Sequence, residues 1–361
     1  MRPIASATFR ALTALAGLLI VAGCTGNAPV ASPSPTVPTS TAPSVTASPT
    51  PPTITLAFGG DVHFMKRTDA LLKNPATALG PAASILNAAD LAMVNLETPV
   101  TQRGTAADKE YTFRARPAAF DAIKAAGIDV VTVANNHGMD YGQVGLADTL
   151  KYAADAGMPL VGAGSDASSA YAPYVTTIQG VRIAIVGLTE VDTYTSTWSA
   201  TKTRPGLAYA RTSDQLATAV AAIRAARAQA DVVVVFVHWG EERSTCPTDL
   251  QRRTAKEFAD AGATLIIGAH PHILEGAGWL GGTYVAYSIG NFLWYSDTSN
   301  PDTGVLRVTL TGASVTGAEL VPAIVSRSTG QSIPSTGAEA TRILDKFDDL
   351  RACTGLAATR S

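Results

Sequence analysis

Residues 232–242 read Val-Val-Val-Val-Phe-Val-His-Trp-Gly-Glu-Glu: six apolar positions in a row, then His238, Trp239 and Gly240. A run that is apolar at every position, rather than at every second one, predicts a strand buried on both faces. Six more runs read the same way: Ile54–Phe58, Leu91–Val94, Val130–Val133, Arg182–Val186, Leu265–Ile267 and Tyr284–Tyr287. Helical patterns lie between them. Pro117–Ala126 has Pro at a plausible first turn and Gly127 just past its end. Ser213–Ala230 opens on a capping-type Ser and places Leu216, Val220 and Ile223 at helical spacing. Asp249–Ala261 stops at Gly262. This alternation predicts an α/β domain over residues 53–327. Val305–Leu310 and Ala318–Val325 read as a closing hairpin, which makes part of the sheet antiparallel. Residues 328–361 read as a loop followed by a helix near Ala338–Ala352.

The chain has 361 residues, enough for one large α/β domain with appended segments. Its 27 Lys+Arg and 29 Asp+Glu nearly cancel and form no long block of one sign. A basic stripe is missing, so nucleic acid is excluded as a partner class.

The first sixty residues differ from the rest. No charge occurs from Ala11 to Gly60, and Arg2 and Arg10 precede an apolar run from Ala11 to Ala22. A basic start followed by a short apolar stretch reads as a secretory signal, too short to span a bilayer comfortably. It ends Val21-Ala22-Gly23-Cys24, which resembles the lipobox of bacterial lipoproteins, whose cysteine is lipidated. The other reading is an ordinary secretion signal with an incidental cysteine. The expected layout is a signal peptide over 1–23 and a Pro/Ser/Thr-rich tether over 24–52, too poor in apolar surface to fold. This layout predicts an extracytoplasmic protein anchored to the membrane by lipid.

All five histidines follow expected strands within a few residues. Asp61 and His63 follow the first strand, Asn136 and His137 the third, His238 the run quoted above, and His270 and His272 the run after it. Glu97 follows the second strand. In α/β sheets the ligand sites lie at the carboxyl ends of strands. Asp-x-His offers an oxygen and a nitrogen ligand from one loop, and His-x-His offers two imidazoles on one side of an extended segment. Asp61, His63, Glu97, Asn136, His238, His270 and His272 supply enough ligands for two divalent metals. A mixed N/O set with no thiolate suits Mn, Fe or Zn. Paired metals clamp the attacking and leaving oxygens of an in-line displacement. His137 is left over as a general acid or a phosphate hydrogen-bond donor, with Asp140 three residues on to orient it.

The ordered motifs Gly60-Asp61-Val62-His63, Asn95-Leu96-Glu97, Asn135-Asn136-His137 with Asp140-Tyr141-Gly142, His238-Trp239-Gly240, Gly268-Ala269-His270-Pro271-His272 and Tyr287-Ser288-Ile289-Gly290-Asn291-Phe292 resemble the CapA family. That family is tied to poly-γ-glutamate capsule synthesis and lies within the calcineurin-like metallophosphatase superfamily. The resemblance implies a four-layer α/β/β/α sandwich around a dinuclear metal site and a metal-dependent hydrolase. It implies that Asp61, His63 and His272 hold the first metal and that Asn136, His238 and His270 hold the second. Glu97 stands where the superfamily usually has a bridging Asp, and His137 takes the place of its catalytic histidine. The acid usually found directly after that histidine is absent: Gly138 stands there.

Three further positions carry substrate-binding readings. Asn291 either lines the site or makes a turn with Gly290. Arg114 either grips a phosphate or glutamate carboxylate or is a surface arginine. Glu242 is expected at the mouth, near the His238 loop. Lipidation of Cys24 would leave Cys246 and Cys353, and in an oxidising compartment these are expected to be bridged; the competing reading is two unrelated thiols. Three functions fit. One is an enzyme acting on an envelope polymer or a phosphoester. Another is an accessory protein working with integral-membrane polyglutamate synthase components. The third is a wall-binding lipoprotein with a vestigial site, against which the full ligand set speaks.

Overall fold

The computed structural model describes residues 50–191 and 194–360; the signal peptide, Cys24 and nearly all of the expected tether lie outside them. Two sheets carry the fold. The first runs, edge to edge, Ser332–Pro334, Ser314–Val325, Asp302–Thr311, Thr53–Val62, Leu91–Leu96, Val130–Thr132 and Leu160–Val161, with Asn291–Leu293 paired to Thr53–Val62. The second runs Leu274–Leu280, Thr283–Ile289, Leu265–Ala269, Val232–His238, Val181–Thr189 and Tyr174–Ile178. Strands at the centre of each sheet pair in parallel. The edge strand Leu160–Val161 also pairs in parallel, whereas the expected hairpin of Asp302–Thr311 with Ser314–Val325 and the outer pairings of the second sheet are antiparallel.

Side-chain alternation explains the layers. In Val232–His238, Val232, Val234 and Phe236 enter the core between the sheets. Val233, Val235 and Val237 enter a second core, with Ala219, Val220 and Ile223 of helix Ser213–Gln229 and Phe258 of helix Asp249–Asp260. In the first sheet Ile54, Leu56 and Phe58 face the inter-sheet core. Ala92, Val94 and Val131 face a third core with Leu86, Phe120, Ile123 and Leu146, from helices Ala83–Asn87, Ala118–Ala125 and Gly142–Ala156. Each central strand is therefore buried on both sides, which is why these runs are apolar throughout. The result is an α/β/β/α sandwich.

Local expectations are corrected in two places. The cap of helix Ser213–Gln229 is Thr212, not Ser213: Thr212 is extended, its hydroxyl accepts from Gln215 N–H, and Gln215 reaches back to Thr212 N–H. The loop expected after residue 327 holds a short strand. Ser332–Pro334 adds a strand to the first sheet. Ile343 and Phe347 of helix Gly337–Asp349 join the inter-sheet core, and Arg342 and Lys346 both pair with the buried Asp302. A disulfide joins Cys246 to Cys353, with Cα atoms 5.7 Å apart. Among the described residues no helix is long and apolar enough to cross a membrane.

Candidate metal centre

Parallel strands deliver their carboxyl ends to one edge, and there the two sheets meet. Asp61 lies at the end of Thr53–Val62 in register with Asn95 and Asn291. His238 ends its strand in register with Ala269, one residue before His270. The approach at Asp61 depends on Gly60, where an added Cβ would sit 1.7 Å from the Gly290 carbonyl oxygen.

The seven expected ligands come together. His63 Nε2 is 2.9 Å from Glu97 Oε2. His272 Nδ1 is 3.1 Å from Asp61 Oδ2 and 3.1 Å from Asn291 Oδ1. His238 Nε2 is 2.8 Å from Asn136 Oδ1, 3.1 Å from His270 Nδ1 and 3.3 Å from Glu97 Oε1. Two groups have all their ligand atoms within 4.8 Å of one another: Glu97 with His270 and His272, and Asp61 with Glu97 and His238. Glu97 belongs to both.

This packing of lone pairs is itself a test of whether the residues suit a cation. A neutral ring nitrogen carries at most one proton, so His238 Nε2 can donate to only one of its three neighbours. Glu97 Oε1 and His63 Nδ1 are buried without a hydrogen-bond partner. Such groups are costly unless paired or metal-coordinated. The oxygen and imidazole donors, with no thiolate among them, fit divalent cations. Electrostatics point the same way. Burial works to raise the Glu97 carboxyl, yet His238, His63 and His272 hold it well below the usual carboxylate range. Burial drives His270 down, whereas Glu97 and Asp61 outweigh burial at His272 and push it up to about 9.

The His-x-His segment is not extended. His270 and His272 both occupy positive φ, at 99° and 59°, a region that non-glycine residues rarely adopt. An extended segment would send both rings the same way. The strained turn instead aims His270 at His238 and His272 at Asp61, with ring centroids 5.7 Å apart. Strain of this kind gathers where the surroundings over-determine the backbone, as at ligand-binding turns.

His137 stands beside this group. Asp140 Oδ2 is 2.7 Å from its Nδ1 and also accepts from Phe113 N–H at 2.6 Å. Gly138 explains why no acid directly follows the histidine: a Cβ there would lie 2.2 Å from the Val133 carbonyl oxygen. Asp140 reaches the ring from one turn further on. Burial lowers His137 to about 4 despite Asp140, so its imidazole is neutral at neutral pH.

The sequence reading passed over Lys109 and gave no individual role to Asn95 and Asn135, although both asparagines stand in its motifs. Lys109 Nζ is 2.5 Å from Asp140 Oδ1 and 2.6 Å from the Asn136 carbonyl oxygen. Asn95 donates to Asp61 Oδ1 at 2.7 Å and is 3.1 Å from His238 Nδ1. Asn135 donates to Asn95 Oδ1 and accepts from His137 N–H. The place of Asn95 and Asn135 within those motifs was the one available signal. Aromatic rings wedge the histidines: Phe113 lies 4.1 Å from His137, and Trp294 lies 4.8 and 4.5 Å from His63 and His272, centroid to centroid.

A cavity of about 800 Å³ opens over His137 and His272. Asn291 and Glu242 line it, with Lys66, Arg243, Trp294 and Tyr295. Arg114 does not line it; Arg114 is exposed and stacks over Tyr141 in a neighbouring depression. Trp239 is fully buried, its indole N–H donating to the Tyr287 carbonyl, and serves packing.

Residues 55–296 match the family model described as bacterial capsule synthesis protein PGA_cap. The chain is similar to a PGA biosynthesis protein CapA of Bacillus subtilis (strain 168), at 37% identity over 213 residues, 58% of this chain and 54% of that one. It is similar to a capsule biosynthesis protein CapA of Bacillus anthracis, at 32% identity over 247 residues, 67% of this chain and 60% of that one. It thus spans little more than half the length of these relatives. Among solved structures it is similar to a phosphatase from Mycoplasma pneumoniae, with TM-score 0.47 and 16% identity, covering 76% of this chain and 94% of that one. The match over residues 55–296 makes this chain a member of the bacterial capsule synthesis protein PGA_cap family.

Proposed function

We propose that this chain acts at the cell envelope in the synthesis or processing of poly-γ-glutamate or a related polymer, through a dinuclear metal centre. The supporting observation is the convergence of Asn136, His270 and Glu97 on His238 Nε2, with Glu97 turned equally to His63. Asp61, His63 and His272 would hold one cation, Asn136, His238 and His270 the other, and Glu97 would bridge them. Paired divalent metals supply Lewis-acid polarisation of a phosphoryl or carbonyl oxygen when bound.

The chain's own groups do the rest. Asp140 accepts from His137 Nδ1–H and so fixes the tautomer that leaves Nε2 to exchange a proton. An anionic substrate group beside Nε2 favours uptake of a proton there from water, and the imidazolium then gives that proton to the leaving oxygen and is neutral again. Phe113 packs against the His137 ring and Trp294 against the His272 ring, which braces both. Lys66 and Arg243 offer positive charge at the cavity wall. The Val21-Ala22-Gly23-Cys24 sequence supports a lipid anchor that would keep the domain near integral-membrane synthase components.

Metal-loaded protein should release phosphate or cleaved oligomer from a panel of model phosphoesters and γ-glutamate oligomers, and His137→Ala should abolish the turnover. Loaded protein that turns over nothing in the panel would contradict the catalytic part.

A further inference from the structure

Tyr111–Arg116 is a partition between two depressions. Ala115 bridges Val100, and its N–H donates to the Pro99 carbonyl at 2.9 Å, which pins the segment near its end; Ala115 itself lines the second depression. Side chains of an extended chain alternate sides. Tyr111 and Phe113 line the cavity over His137 and His272. Thr112, Arg114 and Arg116 line a second depression of about 530 Å³. Lys66 lines both and connects them.

The second depression carries three cations, Lys66, Arg114 and Arg116, against one carboxylate, Asp69. Arg116 is committed to Asp69, with Nε 3.0 Å from Oδ1. Among the described residues Lys66 and Arg114 have no carboxylate partner. Each lies over an aromatic ring instead, Lys66 at 5.2 Å from Tyr295 and Arg114 at 4.8 Å from Tyr141. Stacking orients a guanidinium and leaves its N–H edge for a planar anion.

We propose that the second depression is a subsite for a carboxylate of an acidic chain whose neighbouring unit lies in the metal-lined cavity, with Arg114 and Lys66 as its ligands. The proposal rests on the polyglutamate reading above and adds where the chain runs. A ligand carrying one carboxylate can use one depression only, whereas a longer chain can pass Lys66 and use both.

Fluorescence anisotropy with labelled γ-linked glutamate oligomers tests this on the full-length, metal-loaded chain. Wild type should bind a long oligomer more tightly than a dimer. Arg114→Gln and Lys66→Gln should each weaken the long oligomer by about threefold or more and flatten its salt dependence, with melting temperature retained. Long-oligomer binding that is unchanged in both variants would overturn the subsite and leave the polyglutamate reading standing. Wild type that binds no γ-glutamate oligomer, while binding a polyglycerol phosphate chain, would overturn the polyglutamate reading and the carboxylate assignment together.

Discussion

Lys109 Nζ lies 2.5 Å from Asp140 Oδ1, while the other oxygen of that carboxylate lies 2.7 Å from His137 Nδ1. One fully buried carboxylate thus joins a partly buried ammonium to the imidazole beside the candidate metal ligands. Burial pushes Lys109 below its ordinary range, and Asp140 opposes that push. Without Lys109 the carboxylate keeps His137 and the Phe113 N–H as partners, so the loss is that of one charged hydrogen bond, about 1.5–3 kcal/mol. Lys109→Met should therefore destabilise the fold by about that much. Lys109→Met combined with Asp140→Asn should be less destabilised than the two single variants added together, as a double-mutant cycle in urea would show. Additive losses would mean that the contact carries no coupling.

Glu275, three residues after His272, gives the fold a pH dependence of its own. Its carboxyl is fully buried, bonded only by Gln251 Nε2 at 3.0 Å, and burial raises it to about 8 from an ordinary 4.5. The folded state therefore holds a proton that the unfolded chain releases. The stability this contributes is fully present below about 4.5 and is lost as pH rises toward about 8. One such proton changes stability by about 1.4 kcal/mol per pH unit within that window. Glu275→Gln should flatten this slope in urea melts compared across it. An identical slope in the variant would show that Glu275 is not its source.

The Cys246–Cys353 bridge ties the rim of the cavity, where Thr245 sits, to the tail after helix Gly337–Asp349. It spans 107 residues; the chain-entropy model gives a loop of that length about 4.7 kcal/mol, and disulfides typically deliver about 2–4 kcal/mol. Cys353→Ser should lower the melting temperature and keep metal content. Thiol titration of unfolded, unreduced Cys24→Ser protein should find no free thiol; two per chain would contradict the bridge.

Membrane attachment is expected to run through Cys24. Two or three acyl chains anchor stably, whereas one is marginal. Cys24→Ser should release the protein from the membrane fraction or leave the precursor uncleaved. Unchanged fractionation together with unchanged processing would argue against lipidation.

The layers and the ligand edge were legible because the central parallel strands are apolar on both faces and each ends in a polar motif. Val232–Val237 running into His238 is the clearest instance. Helix Gly142–Ala156 was not legible: it opens on glycine, carries a second at Gly145, and its N-cap, Tyr141, makes no side-chain capping bond. Ser332–Pro334 is too short and too polar to announce a strand. Lys109 sits among Asp108 and Glu110 in a stretch that reads as solvated charge, and only the tertiary fold carries it across 27 residues to Asn136. Arg114 carried two readings in the sequence, an anion grip or a surface arginine, and which depression it lines is visible only in the folded chain.

Metal stoichiometry bears most directly on the dinuclear centre. Elemental analysis of protein purified without chelator, then reloaded with Mn, Fe or Zn and desalted, should give two equivalents per chain. Glu97→Gln should lose more than either His270→Ala or His63→Ala, because Glu97 alone belongs to both ligand groups. Wild-type protein that retains no metal under any of these loading conditions would contradict the assignment.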